Sequence, residues 1–168
     1  SNETQRVLAA LSQAGVTVLV LKGAALAHWA YAAPHQRARA DLDLLFPDHA
    51  DLGRVTTVLA ALGYAASDAP VNGITFEAGF RRQDATGQVS WIDAHWRMAN
   101  HPLYAECFSF DELLHDAIVL PGAPTARGLG VVHAFLHACI HRVSNLAIGS
   151  GDRLIWLFDL HRIGPHLS

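Results

Sequence analysis

The 168-residue chain is short of charge, cysteine and methionine: only 16% of its residues are charged, and it has two cysteines and one methionine. The scarcity of charge, set against 51% apolar residues, excludes an intrinsically disordered chain and calls for a buried core. Basic residues are scarce as well. Twelve Lys and Arg against fifteen Asp and Glu leave a net charge of −3, so no broad cationic surface for duplex nucleic acid is expected. Cys107 and Cys139 lie far apart without CxxC spacing, which excludes a disulfide framework and a thiolate zinc site and fits a reducing cytoplasm. No apolar run approaches membrane-spanning length. The most strongly apolar, Val16 to Leu21, has six residues, and the N-terminus lacks a signal-peptide succession, so a soluble cytoplasmic protein without a membrane partner is expected. The opening Ser1-Asn2 without methionine, and an end soon after Leu154–Ile163, suggest a piece of something longer.

The length is that of one domain. Residues 3–14 set Val7, Leu8, Leu11 and Ala14 on one helical face and stop at Gly15. Val16–Leu21 reads as a strand buried on both faces, closed by Lys22-Gly23, and Ala24–Ala32 reads as a helix ended by Pro34. Ala40–Phe46 alternates, with Leu42, Leu44 and Phe46 on one face and Asp41, Asp43 and Leu45 on the other. Asp48 or Asp51 can cap a helix carrying Leu52, Val55, Val58, Leu59 and Leu62 inward as far as Gly63.

Ile74–Phe80 and Gln88–Trp96 read as a hairpin about the turn Asp84-Ala-Thr-Gly87. Pro121-Gly-Ala-Pro124 is read as the boundary between an α/β core, residues 1–120, and a C-terminal helical segment, 121–168, with helices over 126–146 and 152–163. The expected class is α+β: a small mixed sheet flanked by helices, with a helical tail packed on it.

Two acids at i and i+2 on a strand bring like charges into one volume among apolar neighbours, which is costly unless a cation lies between them or the face meets water. Mg²⁺, which binds through few carboxylates plus substrate phosphates, suits Asp41 and Asp43. A strand ending in glycine and feeding a helix leaves backbone N–H groups for a phosphate, to which Lys22 adds a charge, and Arg37 and Arg39 precede the acids. Trp91, Asp93 and His95 share one face of their strand. Asp93 is therefore a candidate third carboxylate, for a second ion or the nucleophile's proton, and His95 a candidate to orient it or to contact phosphate. Trp96, on the opposite face, is expected under a helix. His133, His137 and His141 recur at helical spacing, but Ala134 and Ala138 stand where a zinc protease needs Glu, so this stripe is expected to pack on the sheet or line the cleft.

Leu21-Lys-Gly-Ala-Ala-Leu26, Tyr31, Pro34, Arg37 and Asp41-Leu-Asp-Leu-Leu45, with Ile92-Asp-Ala-His-Trp96 and the stretch His133 to Ile163 carrying His137, His141, Trp156 and Asp159, resemble the uncharacterised nucleotidyltransferase family. That family belongs to the DNA polymerase β-like nucleotidyltransferase superfamily, and the resemblance covers nearly the whole chain. It implies Mg²⁺-dependent transfer of a nucleoside monophosphate from an NTP to a hydroxyl-bearing acceptor, small molecule or protein, that the sequence does not identify. Asp41, Asp43 and Asp93 would be catalytic and hold metal, two ions being expected. Lys22, Gly23, Arg37 and His95 would serve the nucleotide phosphates. One departure is that Ala24 follows Gly23 where the superfamily commonly has glycine or serine, so an inactive nucleotide-binding or interaction module of the same fold is the alternative.

Overall fold

In the computed structural model, residues 2–67, 75–149 and 151–167 are described. Helix α1 (Asn2–Gln13) and strand β1 (Leu19–Val20) lead into α2 (Lys22–Trp29), β2 (Asp41–Leu45) and α3 (Leu52–Ala61). Next come β3 (Ala65–Ala66), β4 (Glu77–Gln83), β5 (Val89–His95), the short helices α4 (Pro102–Ala105) and α5 (Phe110–His115), β6 (Ile118–Leu120) and β7 (Ala123–Gly128). The long α6 (Val131–Ala147) and α7 (Leu154–Ile163) follow.

Among the described residues, seven strands form one mixed sheet in the order β3-β4-β5-β2-β1-β7-β6. β2 lies parallel to β5 and β1 parallel to β7, and the remaining neighbours are antiparallel. Alternation along β2 explains the layering. Leu42, Leu44 and Phe46 join Val7, Leu11, Val55, Leu59, Phe80 and Ile92 in one core, in which α1 and α3 cover one face of the sheet. Leu45, on the acid-bearing face, joins a second core with Leu26, Leu113, Leu129, Ala134 and Ile163, supplied by α2, α5, the link before α6, α6 and α7. A side chain such as Leu59, fully removed from water, stabilises by about 1.5–3 kcal/mol.

The β4–β5 hairpin forms as expected. Asp84 Oδ1 accepts from the Thr86 and Gln88 amides, and Gly87 takes the positive φ of +86° that closes the turn. Its first strand begins at Glu77, the expected start at Ile74 lying outside the described residues. Trp96 packs against Phe46 and His49, beside α3's entry.

Three expectations are corrected. The strand expected over Val16–Leu21 is reduced to Leu19–Val20, because the backbone turns at once into α2, which starts at Lys22 and ends at Trp29. Pro121-Gly122 is not a boundary but the turn of a β6–β7 hairpin, with Gly122 at φ +72°. Residues 123–128, expected to belong to the helical segment, are a sheet strand, and the helix begins only at Val131, because β7 adds to β1 through Val20 and Gly128. Among the described residues, no helix is long and apolar enough to cross a membrane.

Candidate functional site

The parallel pairing of β2 with β5 sets Asp41 against Trp91, Asp43 against Asp93 and Leu45 against His95. Directly paired residues of neighbouring strands point to the same face, so Asp41, Asp43, Asp93 and His95 share one side of the sheet. The patch opens at the start of β2, where Asp41 is exposed, and closes toward its end, where Asp43 is only 2% exposed.

Lys22 enters from β1. It is the one non-glycine residue with positive φ among those described, +49°, and this bend between Leu21 and α2 turns its ammonium back over β2. Lys22 Nζ donates to Asp43 Oδ1 at 2.5 Å, and His95 Nε2 reaches the same oxygen at 3.1 Å. His95 Nδ1 lies 3.1 Å from Glu77 Oε2 but off a hydrogen-bonding direction. His95, 3% exposed, thus stands between Asp43 and Glu77, not against Asp93 and not free toward a phosphate. Glu77 carried no signal in the sequence beyond its place in a strand.

Burial would raise the Asp43 carboxyl, but the Lys22 charge and the His95 hydrogen bond outweigh it and hold Asp43 below the usual carboxylate range. Lys22 is pushed up, burial being more than offset by Asp43. Asp41 is raised by burial and then by Asp43, while Asp93 is pushed up to about 6 by burial and by the charges of Asp43 and Glu77. The patch therefore holds more negative charge than its own cations neutralise.

That deficit, with hard oxygen donors on one face, fits a divalent cation of the Mg²⁺ kind. Among the described residues, no three His, Cys, Asp or Glu side chains surround a single point as an all-protein metal cage does. Mg²⁺ does not require one, since it commonly uses one or two carboxylates with phosphate oxygens and water completing its shell.

The N-terminus of α2 lies beside this patch. Its N-cap, Leu21, offers no side-chain acceptor, so the first-turn amides have no cap. Gly23 sits there beneath Arg37: a Cβ on Gly23 would stand 2.8 Å from the Arg37 guanidinium carbon. Arg37 is not directed at the acids. Its Nε and Nη2 bond Asp159 of α7 at 2.8 and 2.7 Å.

The histidine stripe divides. His133 is buried near Glu112, Asp116 and Phe108. His137 and His141 face the patch. Burial and then the Lys22 charge lower His137 well below the ordinary imidazole range and His141 to about 4, so both are neutral at pH 7. Trp156 meets His141 edge-on, with ring centroids 5.0 Å apart. Trp91, 40% exposed and partnered by Arg81 over its ring, flanks Asp41.

A family model described as uncharacterised nucleotidyltransferase matches residues 1–165. Among solved structures, the solution structure of the antibiotic-resistance factor ANT(2'')-Ia is similar with a TM-score of 0.62 at 15% identity, covering 97% of this chain and 81% of that one. The crystal structure of ANT(2'')-Ia with adenylyl-2''-tobramycin is similar with a TM-score of 0.62 at 14% identity, covering 99% and 88%. An antigenic nucleotidyltransferase-like protein from Paracoccidioides brasiliensis gives 0.58 at 13% identity, covering 96% and 73%. These likenesses are of fold. No curated protein matches the sequence.

Proposed function

The chain belongs to the uncharacterised nucleotidyltransferase family, and on that premise we propose that it transfers a nucleoside monophosphate from an NTP to a hydroxyl group of an acceptor, with Mg²⁺. The observation that carries this reading is the register of β2 against β5, which puts Asp43 beside Asp93 with Asp41 two residues away on the same face. Asp41, Asp43 and Asp93 would share two metal ions between them, which when bound would neutralise phosphate charge and polarise the reacting phosphoryl group. Lys22 moves its charge between Asp43 and the phosphates. Gly23 and the first-turn amides of α2 cradle the phosphates. Asp93, the third carboxylate of the patch and not the one Lys22 pairs with, accepts the proton of the attacking hydroxyl. His95 fixes the Asp43 carboxylate. The ANT(2'')-Ia complex contains an adenylyl group joined to tobramycin, which supports a small hydroxyl-bearing acceptor here.

The reading is tested by incubating the protein with Mg²⁺, labelled NTPs and a panel of hydroxylated acceptors, and following label transfer by mass. Transfer that falls by about a thousandfold or more in Asp43→Asn, without loss of fold, is the expected result. Full activity in that variant overturns the assignment.

A second reading, a nucleotide-binding module without turnover, draws on the internal neutralisation of Asp43 by Lys22 and on Ala24 after Gly23. Calorimetry showing NTP binding with no transfer to any acceptor would favour it.

A further inference from the structure

α2 has only eight residues, and its N-cap, Leu21, supplies no side-chain hydrogen bond, its carbonyl accepting a long one from the Ala25 amide at 3.4 Å, so its first turn is weakly fixed from within. α7, over a hundred residues later, grips it at both ends. At the C-terminal end, Arg162 Nε donates to the carbonyl of Ala30 at 2.8 Å, and its guanidinium lies 5.7 Å from the centroid of the Tyr31 ring. At the N-terminal end, the grip runs from Asp159 through Arg37 to Gly23.

Asp159, 5% exposed, accepts from the Tyr31 hydroxyl at 2.5 Å and receives the Arg37 fork on both oxygens. Arg37 Nη1 is bonded to the carbonyl of Ala38, so all three guanidinium nitrogens are engaged within the protein. The pair is close to neutral as a unit, and the Arg37 side chain is 10% exposed. The guanidinium occupies the space beside the Gly23 Cα where any larger residue would place its side chain.

We propose that Arg37 and Asp159 act as one positioning unit, in which α7 holds the guanidinium over Gly23 and thereby fixes the Lys22–Gly23 turn in the shape that receives the nucleotide's phosphates. This rests on the functional reading above, and it makes Arg37 a positioning residue and not a phosphate ligand. The α7 helix is then part of the nucleotide site although its Asp159 touches no nucleotide.

The two roles of Arg37 separate in a double-mutant cycle on the full chain. Binding of ATP and of inorganic tripolyphosphate is measured by calorimetry with Ca²⁺ as the metal, alongside amide hydrogen exchange over 22–27 without nucleotide. Arg37→Ala and Asp159→Asn are each expected to weaken both ligands about tenfold, with the double variant no weaker than either single one. Each is also expected to speed exchange over 22–27 by about tenfold while exchange in α3 is unchanged.

Arg37→Lys keeps the charge but not the fork and is expected to behave as Arg37→Ala. Should Asp159→Asn fail to fold, Gly23→Ala, which forces the guanidinium aside, must show the same losses. Asp159→Asn binding as tightly as wild type while Arg37→Ala loses affinity would make Arg37 a direct phosphate ligand and overturn the proposal, as would unchanged exchange over 22–27. Wild-type protein that binds neither ligand while exchange in the variants still quickens overturns the functional reading and leaves α7 as a clamp on α2 alone.

Discussion

Asp43 and Asp93 occupy directly paired positions on parallel neighbouring strands, and among the described residues only Asp43 of the two has side-chain partners, Lys22 and His95, at hydrogen-bonding distance. The imbalance sets Asp93 apart. Its carboxyl titrates at about 6 and not near 3.8, because burial and the charges of Asp43 and Glu77 disfavour ionisation in the folded state. A folded value above the unfolded one means that stability falls as pH rises from about 4 to about 6 and stays lower beyond, by up to about 3 kcal/mol at roughly 1.4 kcal/mol per pH unit. In metal-free buffer, Asp93→Asn should therefore be more stable than wild type at pH 7.5, with the difference vanishing toward pH 4. Thermal melts from pH 4 to 8 with EDTA check this, and an equal or lower melting temperature at pH 7.5 counts against the charge deficit.

Lys22→Met tests the other half of the patch. It leaves the buried Asp43 carboxylate with His95 alone and should destabilise the protein by roughly 2 kcal/mol at neutral pH. Since Asp43 is held below its ordinary range in the fold, the stability it lends is complete above about pH 4 and is lost as pH falls below that toward the lower folded value. The wild-type advantage should hold from pH 7 to 4 and shrink only below pH 4, in urea titrations carried down to about pH 2.5. A gap that stays constant would show that Lys22 contributes by packing and not by pairing with Asp43.

The acid strand was legible in the sequence because two physical regularities coincide there. Leu42, Leu44 and Phe46 alternate with Asp41 and Asp43, and carboxylates among apolar neighbours need a reason. The same alternation placed Trp91, Asp93 and His95 on one face. What it left open was the pairing of β2 with β5, a long-range choice that periodicity does not encode, and with it the partner of His95. β6 and β7 went unread for another reason: Ala123–Gly128 contains proline, arginine and glycine without alternation, and becomes a strand through the β1 edge it joins. The Arg37–Asp159 pair spans 122 positions, so the sequence pointed Arg37 at the nucleotide phosphates and left Asp159 without a partner, and the pairing came only with α7 folding back.

Gly130, the N-cap of α6, provides a prediction far from the acids. A Cβ there would stand 2.5 Å from the Asp116 carbonyl oxygen, a backbone atom that cannot rotate away. Gly130→Ala should cost about 2 kcal/mol, lowering the melting temperature by roughly 5 °C. Gly53→Ala, with nothing within 4 Å of the added carbon, is the matched control and should leave it unchanged or slightly raised. Equal melting temperatures for the two variants would show that α6 is not seated on Asp116 as described.

His141 bounds the patch from α6 and makes the acid limb of stability its own test. Its imidazole titrates at about 4, burial and the Lys22 charge both opposing the cation, with His95 adding to them and Asp43 and Asp159 pulling the other way. The unfolded chain protonates at the ordinary value of 6.5, so between 6.5 and 4 it binds more protons than the fold and stability falls as pH is lowered, by up to about 3 kcal/mol. This opposes Asp93, whose contribution grows as pH falls from 6 toward 4, and the two should partly cancel in wild-type protein. His141→Gln removes one arm, so its metal-free stability should hold or rise as pH falls from 6.5 to 5, where wild type is flatter or declines. His141→Gln combined with Asp93→Asn should restore a profile close to wild type. Parallel profiles for His141→Gln and wild type in thermal melts across this range would place His141 in water and not against the Lys22–Asp43 pair.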